Sequence, residues 1–253
     1  MGIRAVAFDL DYTLAVPERD RETLLAEAVD EVEGAPDLTR EAYLRAHSRH
    51  LTAETREPVF TSLVEEYGTG QDSDSSSGSG AASGTDSATN SGEASPIDPA
   101  GVPALAAALT EAYRERVTAA LVPVDGVEQM LAELRERYRL GLLTNGPVVA
   151  QRVKLDRLGW ADAFDVALVS GELSAGKPDG AAFEALLKAL GTAPEETVFV
   201  GDRVGDDVEG AAAAGLVPIQ VLYDGGPDPS PKASAHLHRE ELATRLPALL
   251  AEL

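Results

Sequence analysis

The chain has 253 residues, with 43 Asp and Glu against 21 Lys and Arg, for a formal charge of −22. Its length and its 44% hydrophobic content allow one substantial core and a smaller second module. Such a charge repels nucleic acid and anionic membrane surfaces alike, and no stretch approaches the roughly 20 apolar residues that span a bilayer.

In chain order, residues 3–8 form a short apolar run suited to a buried strand. The run leads straight into Asp9 and Asp11, which is unlike a signal peptide, so a soluble cytoplasmic protein is expected. Residues 18–67 predict helices. Leu24, Leu25, Ala28, Val29 and Val32 make one stripe; Tyr43, Leu44, His47 and Leu51 make another. From about 69 to 100 the chain is dominated by Ser, Gly, Asp, Thr and Ala, with Ile97 its one large aliphatic residue. Such a tract cannot bury enough apolar surface to offset its ordering entropy and reads as a disordered acidic loop. Helical periodicity resumes with Leu105, Leu109, Ala112, Tyr113 and Val117.

Strand and helix then alternate. Helix is expected over 127–138, 147–158, 180–190, 207–214 and 240–250, and strand over 140–143, 166–169, 197–200 and 218–222. Alternation of this kind predicts a Rossmann-like parallel sheet with helices on both faces. The expected organisation is an α/β core from 1–17 and 123–253, with a helical insertion over 18–122. Ligands of such sheets bind beyond the carboxyl ends of the strands.

With no cysteine and four histidines (His47, His50, His236 and His238), thiolate chemistry is excluded and no HExxH pattern occurs. Any metal is then a hard cation on carboxylate oxygens. Only four of the 21 basic residues are lysines. An acidic, lysine-poor composition suits molar salt, as in a haloarchaeal cytosol, where a Debye length of roughly 3 Å screens self-repulsion.

The chemistry-bearing residues follow the predicted strands. Asp9 and Asp11 come directly after the first strand. Two acids there repel unless neutralised, and magnesium would allow one to act as nucleophile and the other to handle a proton. Thr144 and Asn145 before a helix start could cradle a phosphate. Lys177 could balance phosphate and carboxylate charge, and Asp202 and Asp207 could complete a metal shell. Taken singly, each is equally a turn, a cap or a surface residue; their order along the chain argues for a joint role.

The set Asp9-Leu10-Asp11-Tyr12-Thr13-Leu14, Thr144-Asn145, Lys177 and Gly201-Asp202 through Asp207 resembles the haloacid dehalogenase (HAD) superfamily. The closer resemblance is to its phosphatase branch, which has a helical cap after the first strand. Tyr12 stands where glycine is frequent and Arg203 where serine is. The resemblance implies a magnesium-dependent phosphatase for a small phosphorylated metabolite. Asp9 would be the nucleophile, Asp11 the acid and base, and Lys177 a charge screen. Thr144, Asn145 and the main chain near Leu10 and Asp11 would hold phosphoryl oxygens. Magnesium would be bound by Asp9, the Asp11 carbonyl and Asp202, with Asp207 in support. The alternatives are a 2-haloacid dehalogenase, disfavoured because Asp11 is present, a sugar-phosphate mutase, and a non-enzymatic binding module. A phosphonate hydrolase would need a lysine in the insertion, and residues 18–122 contain none. His47, on an otherwise apolar stripe, is the first candidate for substrate contact; Arg19, Arg21, Arg45, Arg49, His50 and Arg56 are expected mostly on solvated faces.

Overall fold

The computed structural model describes residues 2–68 and 97–253; most of the expected acidic loop lies outside the described residues. Six parallel strands form the central sheet: β1 (Ala5–Phe8), β4 (Arg139–Thr144), β5 (Val166–Val169), β6 (Thr197–Gly201), β7 (Val217–Leu222) and β8 (Ala235–His238). Their spatial order is β5-β4-β1-β6-β7-β8. The chain thus steps outward from β1 first on one side and then on the other. The crevice beyond the end of β1 lies at that switch.

The strands are apolar on both faces because both are covered. Val6 and Phe8 of β1 join Leu140, Leu142, Val198, Val200, Ile219 and Val221 on one side. That layer is closed by α5 (Val127–Arg135), α6 (Val148–Leu158) and α9 (Leu242–Leu250). Ala5 and Ala7 face the other way, against Phe183, Leu186 and Leu190 of α7 (Gly180–Leu190) and Ala211 of α8 (Gly210–Ala213). The strand β8 has no counterpart among the predicted elements. Its sequence, Ala-His-Leu-His, is half polar because it is an edge strand with only Leu237 buried.

Four helices form a separate layer: α1 (Arg21–Glu31), α2 (Arg40–Ser48), α3 (Glu57–Gly68) and α4 (Val102–Ala119). The Asp20 carboxylate caps α1 by accepting from the Thr23 amide at 2.8 Å, and the Thr39 hydroxyl does the same for α2. The module has its own core around Tyr43, Phe60 and Tyr113, whose ring centroids lie 5.1 to 5.9 Å apart. Two predicted stripe residues sit elsewhere. Leu51 falls beyond the end of α2, and Leu44 is 44% exposed at the cavity described below. The chain passes between the two layers through β2 (Ala15–Pro17) and β3 (Leu121–Pro123), a short antiparallel pair. Among the described residues, no helix is long and apolar enough to cross a membrane.

Candidate active site

The carboxyl end of β1 places Asp9 in the crevice. Its amide donates to the Val200 carbonyl of the neighbouring strand at 2.9 Å, which extends the sheet register to the site. From the end of β6, Asp202 joins it, and Asp207 returns from wide helical turns spanning Val204–Glu209, in place of the regular α-helix expected over 207–214. Those turns let Asp207 fold back on the strand end: its Oδ2 accepts from the Arg203 amide at 2.9 Å. Gly201 makes room for this, since a Cβ there would lie 2.5 Å from the Asp207 side chain.

Asp9, Asp202 and Asp207 are all buried, and each offers a carboxylate oxygen within 4.8 Å of the others. Lys177, 1% exposed, bridges two of them, with Nζ 2.7 Å from Asp9 Oδ1 and 2.6 Å from Asp207 Oδ1. Burial alone would lower the Lys177 pKa, but Asp207 and Asp9 hold it above the usual lysine range. One ammonium does not balance three carboxylates. Burial first, and then the neighbouring acids, push Asp9 and Asp202 upward against the pull of Lys177. Three hard oxygen donors in this state are a chemically fitting set for a divalent cation.

Asp11 meets the opposite environment. Its Oδ1 accepts from Arg21 at 2.7 Å; its Oδ2 accepts from Lys154 at 2.5 Å and from Gln151 at 3.1 Å. Burial would raise its pKa, but Lys154 and Arg21 hold it well below the usual carboxylate range. Two acids two residues apart are thereby driven in opposite directions by their surroundings, Asp9 upward and Asp11 downward. Asp11 keeps its side chain on this clamp, outside the carboxylate triad.

Thr144, at the end of β4, is buried with its hydroxyl accepting from Gln151 at 2.8 Å, which leaves the hydroxyl proton for a ligand. Asn145 lines the cavity, but its side chain clasps the main chain of Lys177. Its Nδ2 donates to the Lys177 carbonyl at 2.7 Å and its Oδ1 accepts from the Lys177 amide at 2.9 Å. That contact positions the lysine. Leu10 is fully buried, so what it offers a ligand is its main chain. Tyr12 adopts φ +65°, a conformation in which glycine is at ease. Its ring stacks on Tyr223 at 5.8 Å, and the Tyr223 hydroxyl donates to Asp202 at 3.3 Å.

Above this floor lies a cavity of about 130 Å³, roofed by residues of α1, α2 and α4 and by Arg56, just before α3. One water needs only about 10–15 Å³ of such space, so a ligand of several heavy atoms fits. Among the described residues, Gln151 Oε1 and Arg21 Nε are buried there without partners, whereas buried polar atoms are normally satisfied.

The histidine and arginines singled out in the sequence divide between two faces. His47, Arg21 and Arg56 line the cavity. On the outside, Arg45 bonds Glu41, Arg49 lies near Glu66, Arg19 pairs with Glu27 and His50 bonds Ser62. Sequence reasoning missed Lys154, Gln151, Arg40 and Tyr113. A signal for the first two was present: they lie three apart on the helix following the Thr144 strand, and so share one face.

With this geometry, the chain belongs to the haloacid dehalogenase-like hydrolase family, whose model matches residues 3–215. It is 44% identical over 145 residues to the phosphoserine phosphatase of Thermus thermophilus, covering 56% of this chain and 57% of that protein. It is also 39% identical over 120 residues to the glyceraldehyde 3-phosphate phosphatase of Methanopyrus kandleri, covering 47% and 52%. The chain thus spans a little over half the length of these curated relatives. A crystal structure of a 2-haloacid dehalogenase from Pseudomonas syringae pv. Tomato matches over 99% of both chains, with a TM-score of 0.67 and 25% identity.

Proposed function

We propose that the protein is a magnesium-dependent phosphatase that hydrolyses small phosphate monoesters through an aspartyl-phosphate on Asp9, with the α1–α4 layer as its cap. The observation that carries this reading is the contrast between the two acids after β1. Asp9 sits with Asp202, Asp207 and Lys177, while Asp11 is clamped by Arg21, Lys154 and Gln151. A dehalogenase has no evident use for the second acid or for the extra carboxylates. Phosphatase names among the relatives support the same choice.

Asp9, Asp202 and Asp207, with the Asp11 carbonyl, are the residues that would hold magnesium. Bound there, the ion supplies the positive charge that lets an anionic phosphate approach a carboxylate. The chain's own residues then divide the work. Asp9 attacks phosphorus and the P–O ester bond breaks; Lys177 screens the repulsion between them. Thr144 donates its hydroxyl proton to a phosphoryl oxygen. For Asp11 to act as the acid its clamp must loosen, so that the carboxylate first takes up a proton from solvent and then delivers that proton to the departing alkoxide. As a carboxylate again, it takes a proton from the water that attacks the acyl phosphate, releasing inorganic phosphate and restoring Asp9. The cap excludes bulk water during the transfer. The acidic, lysine-poor composition supports a cytoplasm of high salt as the working environment.

The test is phosphate release from p-nitrophenyl phosphate and a panel of natural monoesters in molar KCl. EDTA should stop release and added magnesium restore it. Magnesium should also raise the melting temperature of the unreacted protein, by about 2.7 kcal/mol of stabilisation at a hundredfold excess over Kd. Release that persists in EDTA would remove the metal from the reaction. Halide release from a 2-haloacid would return the chemistry to dehalogenation.

A further inference from the structure

The roof of the cavity carries charge that phosphoryl transfer at the floor leaves unused. Arg56 is 6% exposed, and its Nε donates to the Tyr43 hydroxyl at 3.0 Å. Its guanidinium lies over the Tyr113 ring, with Cζ 5.5 Å from the centroid. Arg40 mirrors it, donating to the Tyr113 hydroxyl at 3.2 Å and lying over the Tyr43 ring at 5.1 Å. Among the described residues neither has a carboxylate partner, whereas Arg21, also in the cavity, is paired with Asp11.

That absence stands out in a chain whose acids outnumber its bases two to one. On the outer face of the same module Arg45 and Arg49 both have glutamates. Among the described residues, every acid lining the cavity comes from the core, and the helical layer contributes none. Arg56 is buried and Arg40 half-buried, and a buried guanidinium without a counter-charge is unfavourable unless something else supplies one. His47 reports the same imbalance: burial, and then Arg56, Lys154 and Arg40, push its pKa down to about 3, so it is a neutral donor or acceptor at pH 7. Its ring stacks on Tyr43 at 5.8 Å, which places it beside the arginines.

We propose that Arg40 and Arg56, with His47 beside them, form a second anion subsite, so that the preferred substrate is a phosphate monoester whose leaving group carries its own carboxylate or phosphate. The inference rests on the phosphatase reading and adds to it the far end of the substrate. Planar guanidinium forks match the oxygens of either oxyacid. The tyrosine rings beneath hold those forks in place through cation–π contact and hydroxyl bonds, so little ordering is lost on binding. A neutral leaving group would leave both arginines uncompensated once the cavity is filled.

The experiment compares kcat/KM for phosphoglycolate, its uncharged amide 2-phosphoglycolamide, and ethane-1,2-diol bisphosphate, in molar KCl with magnesium. p-Nitrophenyl phosphate serves as the neutral reference. Phosphoglycolate, the bisphosphate or both should exceed the amide by about tenfold or more, the scale of one charge-assisted contact. Which of the two is favoured identifies the second anion. Arg56→Gln and Arg40→Gln should each bring that ratio toward one, and Arg56→Lys should retain part of it. If Arg56→Gln fails to fold, Arg40→Gln carries the same comparison. Equal kcat/KM for the charged and uncharged substrates in the unmodified protein, or a ratio unchanged in the variants, overturns the subsite and leaves the phosphatase reading standing. No release from any of them, p-nitrophenyl phosphate included, overturns the phosphatase reading and the subsite with it.

Discussion

The floor and the roof of the cavity both bury ionisable groups, but they do so in opposite ways. On the floor, Asp9, Asp202 and Asp207 crowd around a single lysine, leaving an excess of negative charge held by sheet geometry. On the roof, Arg40 and Arg56 lie on tyrosine rings, leaving an excess of positive charge held by helix packing. Each face is left incomplete in charge, and the proposals above follow from that: a cation below, an anion above and a phosphoryl group between them. Asp11 is the exception on the floor, because Arg21 reaches down to it from the first helix of the roof while Lys154 reaches it from α6. It is therefore the acid whose protonation is set by both layers.

The largest effect should come from breaking the floor. Asp9→Asn keeps the shape and removes the proposed nucleophile, so phosphate release should fall by about 10⁴-fold or more while circular dichroism stays unchanged. Turnover surviving that change would mean another group attacks phosphorus. Next in size is Lys154→Met, at the junction of the two layers. Without Lys154, one of the three donors that orient Asp11, the proposed proton-handling acid loses its placement, so kcat should fall about 10–100-fold with a smaller change in KM, because the lysine touches Asp11 and not the triad. A pure KM effect would make Lys154 a substrate ligand instead.

Salt tests the whole acidic envelope rather than either face. Raising KCl from about 0.1 M to 2 M shortens the Debye length from about 10 Å to under 3 Å and should raise the melting temperature by several degrees. A flat response would mean that the surface charges are too dispersed to strain the fold.

The smallest effect is on the roof. His47 has a folded pKa of about 3 against an ordinary value near 6.5, so the unfolded chain binds its proton first. Stability contributed by the neutral ring is complete above pH 6.5 and is lost as pH falls toward 3. Between pH 6.5 and 5.5 the loss should be on the order of 1 kcal/mol. His47→Gln should flatten that part of a urea-denaturation profile; an equally steep profile in the variant would place the titrating group elsewhere.

How much was legible in the sequence differs between the two faces for the same reason that their chemistry does. Asp9, Thr144, Lys177 and Asp202 each follow a strand or its next loop, and a parallel sheet delivers all such ends to one crevice. Their convergence is therefore readable from order alone. The roof has no such rule. His47 was visible as a polar residue on an apolar stripe, but Arg21 and Arg56 looked no different from Arg45 and Arg49, which face solvent. Tyr113 sits about 70 residues from its partner Arg40. The edge strand β8 and the short β2–β3 pair escaped because half-polar or three-residue strands carry too little periodicity to register.

By itself, then, the sequence determined the parallel sheet, the order of its strands' polar ends and the acids gathered there, because backbone periodicity and strand direction are local properties. Tertiary structure alone decided which cations turn inward. It clamped Asp11 between Arg21 and Lys154, tied the Asn145 side chain to the main chain of Lys177, and laid two arginines on two tyrosines without a carboxylate partner among the described residues. The physical reason is that a charge's role depends on what surrounds it in space. Those surroundings come from elements far apart along the chain.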